Sequence, residues 1–129
     1  MKIFMIVDDS PVIRKVGRRL IEDLGFVVVE AEDAEQAIIM ARENMPDGIL
    51  VDWSMPGQSG IGLLQELHNL PGASDLKSLF CTSALDVPEM TRAKRAGASG
   101  FIMKPFNRKV LQEKLLEVGL LDDMVGESA

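Results

Sequence analysis

Five short apolar runs with no polar residue alternating inside them set the tightest limit on how this chain can fold. They cover residues 3–7, 26–29, 49–51, 79–81 and 101–103 and are rich in Val, Ile, Leu and Phe. Runs of this kind suit strands buried on both faces, the environment of a parallel sheet. Segments of helical spacing lie between them. Ile13, Val16, Leu20 and Leu24 fall at i, i+3, i+7 and i+11, with Arg14, Lys15, Arg18 and Arg19 placed on the opposite side. Leu63, Leu67 and Leu70 repeat the pattern, as do Leu111, Leu115 and Val118.

Punctuation agrees with this alternation. Ser10-Pro11 reads as an N-cap followed by proline at the first helical position, and Asn107 as the N-cap of the last helix. Gly25 and Gly97 stand where left-handed C-caps end the first and fourth helices. The expected fold is α/β: a doubly wound, five-stranded parallel sheet covered by five helices. At 129 residues and 47% hydrophobic the chain matches one domain with a real core. That domain is expected over residues 1–119, with 120–129 a short fraying tail and no output domain.

In doubly wound sheets ligands bind outside the carboxyl ends of the strands, so the residues after each run carry the chemistry. Asp8 and Asp9 follow the first run, Asp52 the third, Thr82 and Ser83 the fourth, Lys104 and Pro105 the fifth. Three carboxylates on one edge repel one another, and without a counter-charge at least one would hold a proton. A divalent cation relieves this, and hard oxygens with no His or Cys beside them favour Mg²⁺. A carboxylate can also attack phosphorus to give an acyl phosphate. An ammonium (Lys104) and a hydroxyl (Thr82) would then hold the phosphoryl oxygens. Each residue alone reads more simply as a cap or turn; the signal is their joint placement at the ends of different strands.

The stretches IVDDS (6–10), LVDWSMPGQSG (50–60), TSA (82–84) and GASGFIMKPF (97–106) resemble the receiver domains of bacterial two-component response regulators, of the CheY-like single-domain type. The resemblance runs from about Lys2 to Val118. It implies a flavodoxin-like fold, Asp52 as phospho-acceptor, and a Mg²⁺ site of Asp8, Asp9, Asp52 and the Trp53 backbone carbonyl. It further implies Lys104 as the phosphate-binding lysine before a cis peptide to Pro105, and Thr82 as the switch hydroxyl. The phosphoryl donor would be a sensor histidine kinase or a histidine phosphotransfer protein. A phosphoryl group adds about −1.5 to −2 charges and three strong acceptors. Thr82 is expected to move toward it, and Phe101, where many relatives carry Tyr, to fill the vacated space. A downstream protein would bind the face of the fourth helix, fifth strand and fifth helix, including Arg92, Arg95 and Phe101. Ser54, Ser83 and Ala84 depart from, or sit at, positions that tune rates in relatives.

Other features set bounds. The net charge of −6 argues against non-specific binding to nucleic acid or an anionic membrane. No apolar run reaches the ~20 residues a bilayer requires, and no secretory signal opens the chain, so a cytoplasmic protein is expected. Cys81 reads as a buried small hydrophobe, His68 as a surface residue, and the eight Met residues as core fillers. The Arg14, Lys15, Arg18 and Arg19 cluster is either a solvated face or a docking site for the phosphoryl donor. The leading expectation is a stand-alone signalling switch that catalyses only its own phosphorylation and dephosphorylation. The phosphoryl group would then change its binding to another protein, in chemotaxis or another pathway. The alternative, a Mg²⁺-dependent phosphatase passing through the same aspartyl phosphate, would want an acid where Ser54 stands and a substrate cap for which 129 residues leave no room. A phosphate-independent binding module would have no use for the intact charged set.

Overall fold

The computed structural model describes residues 2–52, 60–82 and 86–121. Five strands alternate with five helices: β1 (Ile3–Val7), α1 (Pro11–Asp23), β2 (Val27–Ala31), α2 (Ala34–Glu43), β3 (Gly48–Asp52), α3 (Gly60–His68), β4 (Lys77–Thr82), α4 (Val87–Ala96), β5 (Gly100–Met103) and α5 (Arg108–Glu117). A single 3₁₀ turn, Ala73–Asp75, precedes β4. The strands form one sheet in the order β2-β1-β3-β4-β5, and every pairing is parallel.

Alternate residues of each strand face opposite sides of the sheet, and the core divides accordingly. Met5, Val7, Ile49, Val51 and Phe80 pack with Ala37 and Ile38 of α2, Leu63, Leu64 and Leu67 of α3, and Ala93 of α4. Phe4, Ile6, Leu50, Leu79 and Ile102 pack on the other side with Ile21 of α1 and Leu111 and Leu115 of α5. The expected caps form. Ser10 accepts the Ile13 N–H at 3.3 Å and Asn107 the Val110 N–H at 2.9 Å. Gly25 and Gly97 take φ of +100° and +119°, conformations that a Cβ disfavours.

Several expectations need correction. The buried residues of α1 are Gly17 and Ile21, while Val16 is exposed. Gly17 is the reason: a Cβ there would lie 3.2 Å from Ile6, so the helix rolls its smallest residue against the sheet. That roll carries Arg14 inward, off the side of the helix it was expected to share with Lys15, Arg18 and Arg19. His68 is not a surface residue either; it is half-buried, and its Nε2 lies 3.1 Å from Ser78 Oγ. Leu120, placed in the tail by sequence, is buried beside Phe4, and its N–H donates to Leu115 O at 2.8 Å.

Candidate functional site

Parallel pairing puts all strand C-termini at one edge, and the registers Val7↔Val51, Asp52↔Cys81 and Thr82↔Met103 align them. Asp8 and Asp52 are buried at 3% and 7% exposure, whereas Asp9 is exposed. All three offer carboxylate oxygens that lie within 4.8 Å of one another. Lys104 reaches in after β5 and donates from Nζ to Asp52 Oδ1 at 3.0 Å and to Asp8 Oδ2 at 3.3 Å. The Lys104–Pro105 peptide is cis, and the Lys104 N–H donates to Thr82 O at 2.8 Å. Thr82 itself is half-buried at the end of β4. Asp8, Asp9, Asp52 and Lys104 therefore converge, with Thr82 at the neighbouring strand end, while Trp53, Ser54, Ser83 and Ala84 lie outside the described residues.

The electrostatics are those of a crowded acidic pocket. Burial raises the Asp8 pKa, the Ser10 N–H opposes that through its 2.9 Å bond to Oδ1, and the Asp52 charge raises it again. Burial alone would lower the Lys104 pKa, but its hydrogen bond and charge interactions with Asp52 and Asp8 outweigh this and raise it. Lys104 is therefore a fixed cation facing two carboxylates. Three carboxylates with one ammonium leave a surplus of negative charge when all are ionised. That donor set fits a hard, oxygen-seeking divalent cation. Burial pushes the Cys81 thiol up to about 12, so it behaves as packing, not as a nucleophile.

Sequence reasoning missed one residue at this edge. Arg14, one turn into α1, donates from Nη1 to the Asp8 carbonyl oxygen at 2.6 Å and from Nε to Glu30 Oε1 at 3.3 Å. Arg18 Nη1 meets the other Glu30 oxygen at 3.0 Å, and its Nε meets Glu22 at 3.2 Å. The available signal was the i, i+4, i+8 spacing of Arg14, Arg18 and Glu22 together with Glu30 near the end of β2. Of the four bases in the cluster, Lys15 and Arg19 remain exposed without an ion pair among the described residues.

Phe101 lies on the α4–β5–α5 side of the sheet. It is 9% exposed and stacks on Phe80, with ring centroids 6.4 Å apart and planes 5° apart. It lines a groove between α4, β5 and α5 together with Met90, Lys94 and Val110. Arg92 and Arg95 are exposed, and Arg92 pairs with Glu89 at 2.9 Å.

Residues 4–116 match the family model described as the response regulator receiver domain. The chain is 35% identical over 119 residues to the chemotaxis protein CheY of Pseudomonas aeruginosa, covering 92% of this chain and 95% of that protein. It is 37% identical over 116 residues to chemotaxis protein CheY-3 of Vibrio cholerae, covering 89% and 88%. The Vibrio cholerae chemotaxis protein CheY4 superposes with a TM-score of 0.88 at 28% identity, over 92% of this chain and 98% of that one.

Proposed function

Because this chain belongs to the response regulator receiver domain family, in its CheY-like form, we propose that it is a phosphorylation switch of two-component signalling with Asp52 as the acceptor. The observation that carries this reading is the cluster of Asp8, Asp9 and Asp52 oxygens within 4.8 Å, with the Lys104 ammonium 3.0 Å from Asp52. Asp52 stands at the end of the central strand β3, held by Lys104. One of its oxygens attacks the phosphorus of a phosphohistidine; the P–O bond forms as the P–N bond breaks, and the imidazole leaves. Lys104 neutralises the phosphoryl oxygens as charge shifts onto them. Asp8, Asp9 and Asp52 would hold Mg²⁺, which supplies further charge neutralisation when bound. The Trp53 carbonyl, assigned a share in that site, lies outside the described residues.

Partner surfaces follow from what is exposed. Ile13, Val16, Pro105 and Phe106 line an apolar notch beside Lys104, and Lys15 flanks it on α1. An acidic or amphipathic helix of a histidine kinase or phosphotransfer protein fits there, close enough to deliver its phosphoryl group. The α4–β5–α5 groove serves as the output face toward a downstream protein. The chain acts on no substrate but itself, and it works in the cytoplasm. Among the described residues no helix is long and apolar enough to cross a membrane.

Acetyl phosphate and Mg²⁺ added to wild type and to Asp52→Asn, with Trp53 fluorescence and intact mass as readouts, test the reading. One phosphoryl group on wild type and none on the variant is the expected result. Mg²⁺ binding without phosphorylation by acetyl phosphate or by a cognate kinase would sink the switch. A folded protein silent to both would instead be a phosphate-independent binding module.

A further inference from the structure

We propose that Arg14 is a positioning residue for the cation site, acting through the Asp8 carbonyl to aim the carboxylate of Asp9. This rests on the reading of the acidic cluster given above. Asp9 is the one exposed member of that cluster, and the peptide joining it to Asp8 sets its direction. Asp8 is held at its N–H, its side chain and its carbonyl, and only the carbonyl belongs to that peptide. The Asp8 N–H donates to Ala31 O at 3.2 Å, Asp8 Oδ1 accepts the Ser10 N–H at 2.9 Å, and the Asp8 carbonyl accepts Arg14 Nη1 at 2.6 Å. The last is charge-assisted, so it is the strongest of the three.

Arg14 cannot swing away readily. Its side chain is 14% exposed, and Glu30, 22% exposed, holds Nε while Arg18 braces Glu30 from the other side. Only a planar guanidinium can address a carbonyl and a carboxylate at once from one rigid fork; an ammonium is a point charge. The network is also balanced, with Arg14 and Arg18 set against Glu30 and Glu22. It therefore fixes the peptide while adding little net positive potential beside a site that takes a cation.

Positioning and plain electrostatics predict opposite signs. Removing a cation beside a divalent-cation site should tighten binding if charge alone mattered. If Arg14 aims Asp9, its loss weakens binding, and supporting groups around metal ligands commonly count for about tenfold or more. The test is Mg²⁺ affinity of the full chain by isothermal calorimetry, for wild type, Arg14→Met, Arg14→Lys and Ile21→Val. Ile21→Val disturbs the packing of the same helix without touching the network, and urea unfolding confirms that each variant is folded. Arg14→Met is expected to weaken Mg²⁺ binding by about tenfold, and Arg14→Lys to recover part of that. Phosphorylation by acetyl phosphate should need correspondingly more Mg²⁺ yet reach the same rate at saturation. Affinity within about twofold of wild type, or tighter, overturns the proposal. So does an equal loss in Ile21→Val, which would make the effect one of helix packing. Failure of wild type to bind Mg²⁺ overturns the cation site itself, and is told apart because every variant would be silent with it.

Discussion

Lys104 answers two carboxylates with one ammonium, and its neighbours fix what its loss would do. Asp8 and Asp52 side chains are 5% and 9% exposed, so without Lys104 they would face each other with no cation between them. Replacing Lys104 by Met is expected to cost about 2 kcal/mol in the absence of divalent cations. The cost is kept below that of a fully buried pair because Lys104 is itself 25% exposed and the carboxylates can take up a proton. Saturating Mg²⁺ should restore much of the loss, which urea unfolding with and without the ion measures. A deficit unmoved by Mg²⁺ would separate the ion pair from the cation site. The placement of Asp8, Asp9, Asp52, Thr82 and Lys104 at strand ends was legible in the sequence because position after a buried strand is a one-dimensional property. Arg14 was not, because its role depends on which way a helix is rolled.

The joint of α3, α4 and the sheet is the element whose stability should follow pH. His68, the last residue of α3, lies 3.1 Å from Ser78 of β4, and Ser78 N–H donates to Ser99 Oγ at 3.0 Å just ahead of β5. Burial holds the His68 imidazole below its usual 6.5. The unfolded chain therefore takes up a proton first as pH falls. Stability present above about pH 6.5 is lost as the pH drops through the lower folded value. Urea midpoints should fall between about pH 7 and pH 5.5 in wild type and change less in His68→Gln. Gly97 closes the other side of this joint. At φ of +119° a Cβ would sit 2.3 Å from the His68 ring, so Gly97→Ala combines backbone strain with a clash. It is expected to cost about 3 kcal/mol, and His68→Ala in the same chain should return only the clash. Sequence marked Gly97 as a helix end for its conformation alone; the ring beneath it came from a distant turn of chain.

At the scale of the molecule, one sheet carries two cores, and the segment just after α5 completes one of them. Leu120 is 5% exposed, and its methyl would lie 2.6 Å from a Cβ at Gly48, beside Phe4. Lys2 Nζ reaches the Leu120 carbonyl at 3.3 Å, joining the two ends of the domain. Leu120→Ala should lower stability by about 2 kcal/mol. Gly48 begins β3 and Asp52 ends it, about 13 Å away at the usual rise per residue. Mg²⁺ affinity should therefore stay at the wild-type value, and calorimetry beside urea unfolding checks both halves. The sequence by itself determined the strands, their parallel sheet, most caps and the edge where the charged residues meet. Those depend on hydrophobic period, turn chemistry and strand ends, all of which are local. Tertiary structure alone decided that Gly17 faces Ile6 and so rolls Arg14 onto the Asp8 carbonyl. It also decided that His68 lies under Gly97, that Phe101 stacks on Phe80, and that Leu120 belongs to the core. Each is a contact between elements distant in the chain, fixed by which side chain fills a given space, and no local pattern encodes that.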